Sequence, residues 1–174
     1  LSPLGIEWTV DVAGFDGWTG SSFSALTANA DGVQVAWSGI GGSRIASFAA
    51  ATGQRSWMVE GAYGDKPGVV SDIDGNPIVF GASVVEKLAS TTGERQWLHP
   101  VSGTVNDATV ASAGIVIAGA ADASNAAAFV ERLARADGAS VRVKVGEVLV
   151  AKDGRRLLVS KGTLWSSAAA GTGS

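Results

Sequence analysis

Two series of landmarks, each recurring about every 40 residues, constrain this chain more than any other feature. The stretch "AATGQRSW" at residues 50–57 returns as "STTGERQW" at 90–97, so Gly53 and Gly93 lie 40 apart, as do Trp57 and Trp97. A third copy, "LARADGASVRV" at 133–143, puts Gly138 another 45 residues on. An apolar residue stands five positions before each glycine: Phe48, Leu88 and Leu133. A second series lies between these, in "DGVQVAWSG", "DGNPIVFGA", "SAGIVIAGA" and "DGRRLLVSKG", whose glycines Gly32, Gly75, Gly114 and Gly154 are spaced 43, 39 and 40. Two landmark series sharing one period define an internal repeat.

Each repeat reads as strands. A short apolar run follows the first glycine ("VQVAW", "PIVFG", "IVIAG", "RLLVS"), then a polar or Gly/Ala break, then an alternating segment ending in Thr-Gly or Asp-Gly. Period-two patterning bounded by glycine turns marks strands and hairpins, and glycine suits the turns because it accepts positive φ without a Cβ clash. The stretch "ADASNAAAFVERLARA" has a helix-like composition, but its place in the repeat assigns it to a loop and a strand. Four strands per 40–45 residues is the period of a β-propeller blade. The expected fold is therefore all-β: a propeller of four-stranded antiparallel blades, about four of them or part of a larger ring. The units are 1–20, the end of a preceding blade; 21–60; 61–101; 102–146; and 147–174, incomplete. The tail "SSAAAGTGS" reads as a linker or as the start of another outer hairpin. Leaving roughly 500 Å² of a terminal blade's apolar face uncovered would forgo about 12 kcal/mol. That matches a domain's whole stability, so a protein partner or self-association is expected to complete an open ring.

Composition narrows the function classes. With 46% hydrophobic residues and 17% charged, the chain can build a core. Its longest apolar run, "AGIVIAGAA", is too short to span a membrane as a helix. It has no cysteine, hence no disulfide, thiolate metal site or cysteine nucleophile. It starts at Leu1, as a processed or partial chain would. The net charge is −3, but unevenly placed: residues 130–161 carry eight bases against four acids, the remainder five against 12. Such asymmetry suits a solvated outer face, an anionic partner or a head-to-tail contact between chains. An acidic chain with scattered aromatics argues against nucleic-acid binding.

The stretches "FAAATGQRSW" and "LASTTGERQW" resemble the PQQ-like propeller repeat, whose outer hairpin carries Leu-Asp-x-x-Thr-Gly-x-x-x-Trp. The family includes quinoprotein dehydrogenases and an outer-membrane-assembly propeller lipoprotein. This chain departs from the pattern with Ala49, Ala89 and Ala134 at the Asp position and Arg142 at the third Trp. "FVERLARADG" is also similar to bacterial propeller repeats of the form Phe-Val-x-x-Leu-x-x-x-Gly. The resemblance, over about residues 20–165, implies that Gly53, Gly93 and Gly138 make hairpin turns and that Trp57, Trp97 and Trp8 dock between blades. It also implies an extracytoplasmic location, periplasmic or secreted. The family's dehydrogenases set adjacent cysteines against the quinone and Glu, Asn and Asp around Ca²⁺. This chain carries no such set, and no cofactor is expected.

Other chemistry is sparse. Asp72, Asp74 and Asn76 in "SDIDGNP" alternate as oxygen ligands of Ca²⁺ can, but no further carboxylates follow and the position is that of an interstrand turn. His99 is the single histidine, no GxSxG elbow occurs, and "SGIGGSR" lacks the Gly-Lys-Ser/Thr ending of a phosphate loop. The expected function is a non-enzymatic scaffold for protein interaction or assembly. Its loops "GAYGDKPG" (61–68), "SGTVNDAT" (102–109) and "GAADASNAA" (119–127) supply candidate binding residues Tyr63, Asp65, Lys66, Asn106 and Asp107. The alternatives are a ligand- or carbohydrate-binding propeller, with Ca²⁺ at Asp72 and Asp74, and a fragment of a quinoprotein dehydrogenase.

Overall fold

The apolar runs between the glycine turns become strands that pair with their sequence neighbours. A computed structural model describes residues 22–111, 114–120, 128–141, 148–150, 156–160 and 163–167, and holds 13 strands among them. Strands β1 (Ser22–Ala28), β2 (Gly32–Gly39), β3 (Gly42–Ala49) and β4 (Arg55–Gly61) form one antiparallel blade in that order. Next come β5 (Gly68–Ser71), β6 (Pro77–Leu88), β7 (Arg95–Ala111), β8 (Gly114–Ala120), β9 (Ala128–Leu133) and β10 (Ser140–Val141), hydrogen-bonded in one continuous order. Strands β11 (Val148–Val150), β12 (Arg156–Ser160) and β13 (Thr163–Ser167) form a third, three-stranded sheet. The helix-like stretch yields strand β9.

The continuous sheet is two blades joined end to end. The first half of β6 pairs with β5 and its second half with β7. Asn76 Oδ1 accepts a hydrogen bond from Ser90 N at 3.1 Å, although 14 residues of straight strand would span roughly 46 Å. β6 therefore doubles back, and Ser83, at φ 60°, makes the bend. Strand β7 serves two blades in turn. Residues 95–100 pair with β6 and 104–111 with β8, and Thr104 pairs with both Ala82 and Ala120. The stretch 102–109, expected as a loop, is thus strand throughout, because the outermost strand of one blade continues into the innermost strand of the next.

Turn lengths differ where the glycine spacing suggests equivalence. Asn29 N donates to Gly32 O across two residues, whereas Asp72 N donates to Asn76 O across three. Gly75 lies inside its turn at φ 83°. Gly32 instead closes the other turn, where an added Cβ would come within 2.1 Å of Phe48 O. One glycine supplies backbone freedom and the other close approach.

The core lies between blades. Ala36, Ile45 and Trp57 of the first blade pack against Tyr63, Val69, Val79 and Leu88 of the second. Ile78, Phe80, Val85 and Trp97 of the second pack against Val105, Ala108, Val110, Ile115, Ile117 and Leu133 of the third. Val35, Trp37, Ala46 and Phe48 cluster on the opposite face of the first blade. The outer hairpins repeat in detail: Gly53, Gly93 and Gly138 have φ of 66°, 74° and 70°, and each donates at 2.9 Å to Ala49, Ala89 or Ala134. Trp57 Nε1 then donates to Ser90 O at 2.7 Å, and Trp97 Nε1 to Arg135 O at 3.0 Å. Each indole lies over the glycine of the next blade's turn, where a Cβ would come within 2.8 Å of Trp57 at Gly93 and 2.6 Å of Trp97 at Gly138. The Trp and Gly of the repeat are two halves of one contact between blades. Trp8, and the side chain of Trp165, lie outside the described residues.

Candidate functional site

Loop 61–68 runs from the outer strand of the first blade to the inner strand of the second and is tied to both. Ser38 Oγ donates to Asp65 O at 2.6 Å. Ser43 Oγ donates to Gly61 O and accepts from Tyr63 N, each at 3.0 Å. On the other side Ala82 N donates to Tyr63 O at 2.9 Å, and the Tyr63 hydroxyl donates to Glu86 Oε2. Glu86 is buried, and its other oxygen meets the Arg95 guanidinium. Burial and the Glu86 carboxylate together hold the Tyr63 phenol far above its ordinary range, while Glu86 raises Arg95 further.

Tyr63, expected as a binding residue in an inter-blade loop, is 2% exposed. Its ring packs over Gly61 and its hydroxyl anchors the loop. The charged residues that the loop presents to solvent are Asp65 and Lys66. They stand between two adjoining cavities of about 450 and 390 Å³, and Asn106 lines both. Tyr63, Gly64, Ala82, Thr104 and Val105 complete one; Phe23, Ser24, Pro67 and Phe80 contribute to the other.

These walls come from one level of three blades. The ladder β1–β2 shifts register between Phe23 and Ala25, and β7–β8 shifts between Val105 and Asp107. Counting from the pairs at each hairpin turn, Ser24 and Asn106 are the same position, and Pro67 holds it in the second blade. A bulge lifts one residue out of the ladder and re-aims it. The bulges accordingly set Ser24 and Asn106 into cavity walls rather than cores. Asp107, the remaining candidate, is exposed and outside both linings. The loop 119–127 is described only at Gly119 and Ala120, within β8. The periodicity that revealed the strands carries no sign of the bulges, and the Tyr63–Glu86–Arg95 group has no repeat to announce it.

Asp72, Asp74 and Asn76 do not turn their side-chain oxygens toward one point. Asp72 Oδ1 accepts from the backbone N of Asp74 and Asn76 at 2.9 and 2.8 Å. Its Oδ2 pairs with Lys87 Nζ at 2.7 Å, with both side chains buried. Asn76 Oδ1 accepts from Ser90 N, and Asp74 is exposed. Asn29 makes the equivalent turn in the first blade, its Oδ1 accepting from Asp31 N and Gly32 N at 2.9 Å. The side chain shapes the turn in both blades, and in the second a lysine ammonium supplies the cation. His99 Nε2 lies 3.4 Å from Glu131. Among the described residues, no three His, Asp or Glu side chains form a group able to hold a metal.

No protein-family model matches the chain, and no curated protein matches its sequence. Among solved structures it is similar to BamB from Moraxella catarrhalis, at 16% identity and a TM-score of 0.56, covering 90% of this chain and 54% of that one. A protein of unknown function from Bacteroides caccae aligns at 19% identity and a TM-score of 0.48, over 79% of this chain and 56% of that one. The chain spans about half the length of either structure. The likeness to BamB shows the fold, which is a β-propeller.

Proposed function

We propose that this chain is a non-enzymatic propeller scaffold, working outside the cytoplasm, that binds a protein partner through the end of the blades carrying loop 61–68. The observation that carries the reading is the convergence of Asp65, Lys66 and Asn106 on two adjoining cavities, the first two on a loop pinned to two blades. A carboxylate, an ammonium and an amide beside the exposed Phe23 ring suit a peptide surface, which offers donors, acceptors and apolar groups together. A pinned loop loses little freedom on binding, so more of the contact energy appears as affinity. The resemblance of the repeats to a family with a member in outer-membrane assembly, and the fold shared with BamB, support the same reading.

A photo-crosslinking residue tests it. Placed at Lys66 in the native host, it should give a discrete protein adduct; placed at Ile73, in the turn at the far end of β5, it should give none. No adduct at Lys66, or equal adducts at both, would contradict the proposal.

A further inference from the structure

We infer that Ser83 is a contact residue of the end of the blades that carries loop 61–68, its hydroxyl offered to the bound protein. The inference deepens the reading of that end as the partner-binding one and rests on it. Nine glycines among the described residues have positive φ, and Ser83, at 60°, is the one other residue that does. A side chain in that region crowds its own backbone, a cost that glycine avoids. Glycine would also serve the bend, since the first blade turns from β2 into β3 at the same place through Gly41 and Gly42. The serine therefore brings a strain that the fold does not require. Strain of this kind gathers where a binding or active site uses it.

The surroundings fix the residue and leave its hydroxyl free. Ala82 N donates to Tyr63 O at 2.9 Å, which ties the bend to the pinned loop. Ala82 pairs with Thr104 and Val84 with Pro100, so Ser83 stands out of the ladder between them. Ala82 and Thr104 are walls of the larger cavity, which Asp65, Lys66 and Asn106 also line. Ser83 is the next residue along; it is exposed, and among the described residues no hydrogen bond holds its Oγ. A hydroxyl is one donor and two acceptors, matching the backbone amides and carbonyls of a protein segment laid over that cavity. Asp65 and Lys66 supply charge at the site, and Ser83 hydrogen-bonds to the main chain of the partner.

Two substitutions remove the hydroxyl and differ in strain. Ser83→Gly relieves the backbone and Ser83→Ala keeps it crowded, so the first should have the higher urea midpoint. With the photo-crosslinking residue at Lys66 in the native host, each should lower the yield of the protein adduct about fivefold, the contribution of one hydrogen bond. An adduct undiminished in both variants would overturn the inference and leave the reading of loop 61–68 standing. A loss in one variant alone would overturn it too, because backbone shape and not the hydroxyl would then be at work. No adduct in the chain that keeps Ser83 would overturn both.

Discussion

At residue scale, the contact between each tryptophan and the next blade's glycine holds the blades in order. Gly93 combines φ of 74° with an indole 2.8 Å from where a Cβ would stand. Gly93→Ala should therefore cost about 2 kcal/mol or more, from backbone strain of roughly 1–3 kcal/mol plus displacement of Trp57, read as a lower urea midpoint. This pair was legible in the sequence because both partners recur at fixed spacing. The anchor of loop 61–68 was not, since Tyr63, Glu86 and Arg95 meet through folding alone. Tyr63 is the single tyrosine, so its ionisation can be followed by phenolate absorbance. Its pKa in the folded chain is raised, by burial first and Glu86 second, above the ordinary 10.0. The fold thus favours the protonated phenol, giving stability that is fully present below pH 10 and lost as pH rises beyond it. Phenolate absorbance should appear only together with alkaline unfolding. Tyr63→Phe should flatten the loss of stability above pH 10, while lowering stability at neutral pH by about 1–3 kcal/mol through the unpaired Glu86 oxygen.

The elements were legible to the extent that alternation and glycine turns define strands. The glycine spacing did not reveal that β6 doubles back at Ser83, that β7 runs through two blades, or that one turn is a residue longer. Each of these depends on pairing register, which is settled by contacts across strands and not along one. The turn at residues 72–76 shows the limit well. Its alternating oxygens look like cation ligands in sequence, yet Asp72 meets Lys87, 15 residues on, and Lys87 Nζ also reaches Arg135 O of the third blade at 3.4 Å. Lys87→Met should cost about 3–5 kcal/mol, because it strands a buried carboxylate. Replacing both Asp72 and Lys87 by apolar residues should cost less than that single change. With the ammonium already in place, added Ca²⁺ should leave the melting temperature of the native chain unchanged. A rise abolished by Asp72→Ala would instead assign the turn to calcium.

For the whole molecule, the period of about 40 residues announced a propeller, and the inter-blade clusters bear that out. The candidate site was half legible. Asp65, Lys66 and Asn106 line both cavities and Tyr63 one of them, but the burial of the Tyr63 ring was not legible, because sequence position in a loop does not say which way a ring packs. The exposure of the first blade's inner strand among the described residues was not legible at all. Leu26 looks like any other inner-strand residue until its exposure is compared with that of Val69 and Ala108. The partner-binding end of the blades at loop 61–68 is the central claim, and photo-crosslinking at Lys66 in the native host tests it most directly. The expected result is a discrete protein adduct at Lys66 and none at Ile73. Equal adducts at both positions, or none at Lys66, would contradict it.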